Sequence, residues 1–369
     1  YDATPFLEEH PGGADSILIV GGQDATEDFN AIHSAKAKAM LKDYYLGELV
    51  ASPTTTSSSS SSSTTAAPGG EAVHVNGVNG KAANGNGVHA NGDVASTSGS
   101  DSESDLVTLN PREKVTLTLT ERVEVSHNTR IFRFALPSPR HRLGLPTGRH
   151  LFVYAKTAAG ESVARAYTPI SCDLDTGRLD LLIKVYRGGV HPSYPGGGRM
   201  SQALDALPLG GTIAVKGPIG HFVYEGRGKY VQHGKHHGTA THLSMLAGGT
   251  GITPMYQVIK AVLRDGEDTT AISLLYANQG EDDILLRQEL DALAAAHPGR
   301  FKVHYVLSKP PAGWAFTAGH ISEALMRTHL FPASPTTLGL MCGPPGLLDN
   351  VCTPGLTAMG YDKEHQVSF

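Results

Sequence analysis

The chain has 369 residues, of which 40% are hydrophobic, and this size predicts two or three globular domains with substantial cores. The formal net charge is only −5 and the lysines and arginines are scattered, which argues against nucleic acid and anionic membranes as partners. Three cysteines without zinc-type spacing, and no apolar run of the roughly 18 residues that span a bilayer, predict a cytoplasmic protein. Since the sequence opens at Tyr1 inside what reads as a folded segment, we expect it to be part of a longer protein.

The first segment, residues 1–50, contains "FLEEHPGGAD", in which His10 precedes Pro-Gly-Gly. By itself, such a histidine is typical of a helix end, where the helix dipole favours its charge. Residues 51–110 then lose almost all large apolar side chains and carry a serine run and repeated Asn-Gly pairs. No alternating apolar strands flank those pairs, so the composition favours a flexible linker over a series of hairpins.

Residues 111–228 have the pattern of short strands. "KVTLTLTERVEV" and "TRIFRFALP" alternate apolar and polar residues, and "HLFVYAK", "RLDLLIKVYR" and "TIAVKGPIG" follow between Pro and Gly turns. Several strands without a long helix between them predict an antiparallel β-barrel. In residues 229–369, strands such as "THLSMLA" and "AISLLYAN" alternate with helical spacing, which predicts an α/β domain with a mostly parallel sheet.

The stretch "LAGGTGITPMYQVIKAV" places Gly248, Gly249 and Gly251 after a buried strand and before an amphipathic helix, with Pro254 in its first turn. Glycines in this position let a pyrophosphate approach the backbone, and the helix N-terminus stabilises its charge. Because this is not the usual three-glycine fingerprint, a tight turn that binds nothing is the alternative.

Two further features of this half bear on a nucleotide. Asp283 ends the acidic triplet "EDD" after the next strand, where a carboxylate can accept hydrogen bonds from an adenine ribose and repel a 2′-phosphate, which would favour NADH over NADPH. The triplet also suits the first turn of a helix, and both interpretations can hold. Cys342 ends a later strand beside Gly-Pro-Pro, and is either a small buried hydrophobic residue or a group that faces the nicotinamide.

Polar residues stand out in the strand-rich half as well. Arg165 in "ARAYTPIS" has a guanidinium fork that suits a phosphate, and Ser201 opens a short helix, predicted from Met200 to Leu207, whose free amides suit another. Two such sites would match the pyrophosphate of a dinucleotide. The alternative is an arginine on a strand face and a serine that caps a helix.

The motifs "RAYTP", "LLIKVY", "GGRMSQ", "AGGTGITPMYQ", "DILLRQEL" and "CGPPG" occur in this order. Through them the chain from Val115 onward resembles the ferredoxin-reductase-like flavoproteins, and among these the NADH–cytochrome b5 reductase group. The resemblance implies that Lys184 helps to bind NADH and that Thr253 lies near the contact between flavin and nicotinamide. It implies an FAD site formed by Arg165, Tyr167, Thr168, Gly198, Met200 and Ser201. The His-rich "HGKHHGTATH" and the polar end "HQVSF" depart from the family pattern.

Residues 1–50 resemble the second half of a cytochrome b5 domain, in which the histidine of "HPGG" and that of a following "HS" ligate one haem. In this sequence they are His10 and His33. Two neutral imidazoles on neighbouring helices can approach an iron from opposite faces, since Pro-Gly-Gly turns the backbone away from the first ring. With both axial positions filled, such an iron transfers single electrons. The rest of a complete domain would precede Tyr1, so we expect an incomplete haem pocket.

A haem segment, a hinge, an FAD barrel and an NADH domain in this order resemble the C-terminal part of the eukaryotic assimilatory nitrate reductases, as does "VHPSYPGGGRMSQ". The resemblance implies electron transfer from NADH through FAD to haem b, and on to a molybdenum cofactor in an upstream domain that reduces nitrate to nitrite. Any homodimer would form through that upstream part. Two alternatives stay open: a soluble fusion of cytochrome b5 and its reductase that serves other acceptors, and a non-catalytic haem or nucleotide-sensing module.

Overall fold

The computed structural model describes residues 1–7, 10, 14–33, 35–48, 106–190 and 195–369. The predicted linker lies outside these residues except for its last five, and so does the His-Pro pair of "VHPSYPGGG". Near the start of the chain there are three short helices, α1 (Ala14–Leu18), α2 (Thr26–Ile32) and α3 (Ala35–Met40).

The strand-rich region forms one antiparallel sheet of six strands, with the order β4-β3-β6-β1-β2-β5. Its elements are β1 (Val115–Ser126), β2 (Thr129–Ala135), β3 (His150–Lys156), β4 (Ser162–Tyr167), β5 (Arg178–Lys184), α4 (Arg199–Ala206) and β6 (Thr212–Ile219). Alternating residues of these strands, Phe132 and Phe134 among them, are fully buried in one core. The predicted antiparallel domain is thereby confirmed, and its helix begins one residue earlier than predicted.

Three short strands connect this sheet to the second half: β7 (Phe222–Gly226), β8 (Lys229–Gln232) and β9 (His236–Thr239). They pair with one another in an antiparallel sheet. The His-rich stretch that departs from the family pattern supplies β9 and the turn before it.

The second half contains a parallel sheet of six strands, with the order β13-β12-β11-β10-β14-β15. Its strands are β10 (His242–Gly248), β11 (Ala271–Asn278), β12 (Phe301–Leu307), β13 (Thr317–Ala318), β14 (Thr337–Cys342) and β15 (Gln366–Ser368). The helices are α5 (Ile252–Arg264), α6 (Arg287–Ala296), α7 (Glu323–His329), α8 (Pro345–Leu347) and α9 (Thr353–Ala358). Because strands in such a sheet are covered on both faces, β10 is buried almost throughout. The predicted α/β domain is confirmed, and "HQVSF" supplies its edge strand β15.

Candidate functional site

The glycine loop lies at the carboxyl edge of the parallel sheet, between β10 and α5. Gly251 packs so closely on Cys342 at the end of β14 that an added Cβ would lie 2.2 Å from the Cys342 carbonyl oxygen. At Gly249, by contrast, φ is +54° and a Cβ would meet nothing within 4 Å. Pro254 is buried in the first turn of α5, whose N-terminus has no side-chain cap. The loop therefore leaves an open backbone surface and uncapped amides, which fit a pyrophosphate.

Thr253 and Cys342, which were predicted to lie near the nicotinamide, border this loop. The Thr253 hydroxyl donates to the Thr250 carbonyl at 3.2 Å and is largely buried. Burial raises the pKa of the Cys342 thiol to about 12, so the group is neutral at physiological pH. A neutral thiol can pack against a ring and donate a weak hydrogen bond, but it is a poor nucleophile.

Lys184 and Asp283, which were predicted separately as nucleotide-binding residues, contact each other. Lys184 Nζ lies 2.8 Å from one carboxylate oxygen of Asp283, and the Gly280 amide donates to the other at 3.0 Å. Although burial acts to raise it, the pKa of Asp283 is lowered by these two hydrogen bonds and by the lysine charge. The carboxylate is therefore ionised and held in one orientation.

Tyr276 is a supporting residue that the sequence pattern did not reveal. Its hydroxyl donates to the Gly249 carbonyl at 3.0 Å and accepts the Leu285 amide hydrogen at 3.3 Å. The side chain is fully buried on β11. It therefore ties the glycine loop to the turn that carries Asp283. The only signal in the sequence is a hydroxyl-bearing residue in the apolar strand "AISLLYAN".

A second glycine-rich loop precedes α4 in the antiparallel domain. At Gly197, where φ is +69°, an added Cβ would lie 2.5 Å from the Tyr186 carbonyl oxygen. Ser201 Oγ accepts the Tyr186 amide hydrogen and donates to the Gly198 carbonyl, each at 3.1 Å. Gly198 is the N-cap, so the first amides of α4 have no side-chain acceptor. The loop fits a phosphate through its backbone, with Ser201 shaping it from beneath.

The other residues predicted to bind FAD differ in how far they are exposed beside this loop. Met200 is 3% exposed and packs in the core of the antiparallel sheet, so only its backbone could face a ligand. Arg165 on β4 is exposed, and its guanidinium donates to the Ala164 carbonyl at 2.7 Å. Burial raises the pKa of Tyr167 to about 12, so the phenol is neutral, and Thr168 follows it directly. An exposed guanidinium beside a half-buried phenol suits a ligand with a charged and an aromatic part.

His10 and His33, the predicted haem ligands, lie close together. Their ring centroids are 5.9 Å apart, near the separation of about 6 Å that metal–nitrogen bonds of about 2 Å would produce across one ion. A hydrogen bond of 3.1 Å joins His33 Nδ1 to the Phe29 carbonyl, which leaves Nε2 as the ligand nitrogen. Burial, more than the neighbouring His10, lowers the pKa of His33, which favours the neutral form that binds iron. These two imidazoles therefore fit a pair of protein ligands that would hold a haem iron.

Two acidic residues of α2 contact lysines of the antiparallel sheet. Asp28 accepts from Lys216 at 2.9 Å and lies 3.1 Å from Lys114 Nζ, and Glu27 accepts from Lys114 at 3.0 Å. The Lys216 side chain is only 6% exposed. Three ion pairs therefore hold the first turn of α2, the helix that precedes the predicted haem ligand His33, against the antiparallel domain.

The described residues include no helix that is both long and apolar enough to cross a bilayer. Within the same ranges, no cluster of three or more His, Cys, Asp or Glu side chains is arranged to hold a metal ion.

Comparison with known families matches three successive parts of the chain. Residues 1–50 match the cytochrome b5-like haem/steroid-binding domain. Residues 116–224 match the oxidoreductase FAD-binding domain, and residues 245–353 match the oxidoreductase NAD-binding domain. The predicted order of domains is therefore found, although the limits of the domains stay predictions.

Full-length relatives and a solved structure agree with this order. The chain is 54% identical to an NADH nitrate reductase of Volvox carteri and 47% identical to an NAD(P)H nitrate reductase of Hordeum vulgare. It covers 40% and 39% of those relatives, while 100% and 99% of the chain is matched. The crystal structure of the cytochrome b5 reductase domain of Ulva prolifera nitrate reductase superposes with a TM-score of 0.69 at 45% identity. That match covers 71% of this chain and 99% of the Ulva domain. The chain belongs to the nitrate reductase family, and it carries the FAD-binding and NAD-binding domains of the cytochrome b5 reductase part together with a cytochrome b5-like segment.

Proposed function

We propose that this chain takes electrons from NADH at the parallel sheet and delivers them, through FAD on the antiparallel sheet, to a haem held by residues 1–50. One observation carries the proposal: the glycine loop, the Cys342 thiol and the Lys184–Asp283 pair lie together at one edge of the parallel sheet, where Gly251 packs against Cys342. Open α/β sheets bind nucleotides at this edge.

In the proposed NADH site, the open backbone at Gly249 and the first amides of α5 bind the pyrophosphate. Asp283 accepts hydrogen bonds from the adenine ribose. Thr253 and the neutral Cys342 thiol border the nicotinamide and exclude water from the face on which hydride leaves.

In the proposed FAD site, Arg165 and the backbone of the loop at Gly198 bind the phosphates. Tyr167 and Thr168 lie beside the flavin ring, and Ser201 holds the loop in its bound shape. When bound, FAD supplies the chemistry that converts a two-electron hydride donor into single-electron transfers.

In the proposed haem site, His10 and His33 would hold the haem iron, and the bound haem would supply single-electron transfer. The ion pairs of α2 with Lys114 and Lys216 hold the first turn of the helix that precedes His33 against the FAD domain.

In the longer protein, the proposed destination of the electrons is a molybdenum cofactor in an upstream domain that reduces nitrate. Relatives bearing the name nitrate reductase, of which the chain spans about two fifths, support this. A cytoplasmic location and a homodimer formed through the upstream part complete the proposal.

The central test is NADH-dependent reduction of ferricyanide by the full chain after loading with FAD. We expect turnover that depends on FAD and is lost in Arg165→Ala. A flavin-loaded protein that binds NADH without reducing ferricyanide would support a nucleotide-sensing module instead.

The haem proposal has its own test, a titration of the full chain with haem followed by its Soret absorbance. We expect His10→Ala and His33→Ala each to abolish the six-coordinate spectrum, while His365→Ala, a change far along the chain, leaves it unaltered. Equal spectra for all three variants would rule out the two proposed ligands.

A further inference from the structure

An ion pair joins the antiparallel domain to the edge of the proposed nucleotide site. Lys184 is the last residue of β5, and Asp283 ends a short turn, Glu281–Asp283, that follows β11. Nζ and Oδ1 lie 2.8 Å apart, and the two side chains are 21% and 18% exposed. Because both groups are largely shielded from water, the pair is screened less than a surface ion pair.

The carboxylate of this pair is fixed relative to the glycine loop. Its second oxygen accepts the Gly280 amide hydrogen at 3.0 Å. Two residues after Asp283, the Leu285 amide binds the Tyr276 hydroxyl that also holds Gly249. Strand β5 itself lies against the Gly249–Gly251 turn. The ammonium group and the carboxylate therefore both stand beside the backbone that is proposed to bind the dinucleotide.

The two charges have opposite effects on a 2′-phosphate. A carboxylate repels it, whereas a lysine ammonium binds phosphate well. In this structure the Lys184 ammonium group donates a hydrogen bond to Asp283 and is therefore already paired. We propose that Lys184 is a specificity-determining residue, which Asp283 keeps from pairing with the 2′-phosphate of NADPH. The preference for NADH is then carried by the ion pair and not by the Asp283 charge alone. This inference rests on the proposed function, since it concerns the nucleotide of the same site.

The test is a double-mutant cycle of Asp283→Asn and Lys184→Met in the flavin-loaded full chain, with kcat/KM measured for NADH and NADPH. We expect Asp283→Asn to raise the NADPH to NADH ratio about tenfold or more, because a charge-assisted bond to the freed lysine becomes available. In the Lys184→Met background the same change should raise the ratio less than about threefold. Equal shifts in both backgrounds would show that Asp283 acts alone and would overturn the proposal.

A binding measurement keeps this test separate from catalysis. Calorimetric titration with 2′,5′-ADP and 5′-AMP should show that Asp283→Asn gains about tenfold in affinity for 2′,5′-ADP alone, and that Lys184→Met removes the gain. Lys184→Arg should retain it, since a guanidinium also binds phosphate. If the chain shows this pattern but never oxidises NADH, the proposed function fails while the role of the pair stands.

The matched control is Glu281→Gln in the same turn. Glu281 pairs with Arg287 of the following helix at 2.5 Å, not with the antiparallel domain. Loss of the Glu281 charge should leave the NADPH to NADH ratio of kcat/KM unchanged. A shift as large as that of Asp283→Asn would mean that the net charge of the turn sets the nucleotide preference. Should Asp283→Asn fail to fold, Asp283→Ser replaces it, and absence of any gain in NADPH use by a folded variant would overturn the proposal.

Discussion

Each of the two glycine-rich loops leads into a helix whose N-terminus has no side-chain cap, but the contacts that hold the two loops in place differ. The loop before α5 rests on another strand, since Gly251 packs on the main chain of Cys342, and ten of the thirteen residues of α5 are buried. The loop before α4 is supported from nearby, by hydrogen bonds of Ser201 to Tyr186 and Gly198, and only three of the eight helix residues are buried. We infer that close backbone packing shapes both loops, since Gly197 also packs on the Tyr186 carbonyl, and that side-chain hydrogen bonds contribute more to the second loop than to the first.

This contrast predicts different sensitivities. A packed loop should tolerate loss of a hydrogen bond but not an added methyl group, because its neighbour is backbone that cannot move away. A loop held by hydrogen bonds should be sensitive to removal of the Ser201 hydroxyl, because the part-buried Tyr186 amide then loses this acceptor.

The largest effect is expected at Gly251. An alanine methyl group would meet the Cys342 carbonyl at 2.2 Å, so Gly251→Ala should lower the free energy of unfolding by about 3 kcal/mol and weaken NADH binding severely. Chemical denaturation and NADH titration measure both. Gly266→Ala, where a Cβ would meet nothing within 4 Å, is the control and should change stability by less than about 0.5 kcal/mol. Comparable losses in the two variants would contradict a packed loop.

The next effect is expected at Ser201, in the hydrogen-bonded loop. Ser201→Ala removes the acceptor of the Tyr186 amide hydrogen. It should lower the free energy of unfolding by about 2 kcal/mol and raise the dissociation constant for FAD. Ser322→Ala is the matched control, because Ser322 also accepts an amide hydrogen at a helix N-terminus, that of Leu325 at 3.4 Å. It should cost about 1 kcal/mol and leave FAD binding unchanged. If Ser201→Ala destabilises the protein but binds FAD normally, this serine does not shape the flavin loop.

A smaller effect is expected at Tyr276. Tyr276→Phe leaves the Leu285 amide without this partner, whereas the Gly249 carbonyl still accepts the Ile252 amide hydrogen, so the free energy of unfolding should fall by about 1 kcal/mol. Because packing still supports the loop, KM for NADH should rise only a few fold at unchanged kcat. Tyr305→Phe removes a hydroxyl that donates to Asp291 at 2.6 Å and should leave KM unchanged. A collapse of NADH binding in Tyr276→Phe would mean that the first loop also depends on hydrogen bonds.

The smallest effect is expected from alkylation of Cys342. With its pKa raised by burial to about 12, only about one thiol in ten thousand is ionised at pH 8, so iodoacetamide should react very slowly. The rate should rise about tenfold per pH unit toward the pKa, because the thiolate is the reactive form. Mass spectrometry of the labelled peptide gives the rate for Cys342 separately from the other cysteines. Fast labelling at pH 7 would show an activated thiolate and would change its proposed role.

Local patterns in the sequence determined much of the architecture. Alternation with period two predicted β1 and β2, and alternation of strands with helices predicted the parallel sheet, because these periods reflect which faces are buried. Glycines between a strand and a helix predicted where both loops lie. Such features depend on residues a few positions apart, and they can be read without knowing what the chain packs against.

Only the tertiary structure decided which of the predicted residues contact one another. Lys184 and Asp283 are 99 positions apart, and their contact follows from the way β5 meets the turn after β11. The pairing of Asp28 with Lys216 spans 188 positions, and Tyr276 on β11 reaches Gly249 just beyond the end of the neighbouring strand β10. The sequence determined which chemical groups the chain carries and which elements bear them. Their pairing was decided by long-range packing, because the free energy of a contact depends on the burial and orientation of both partners.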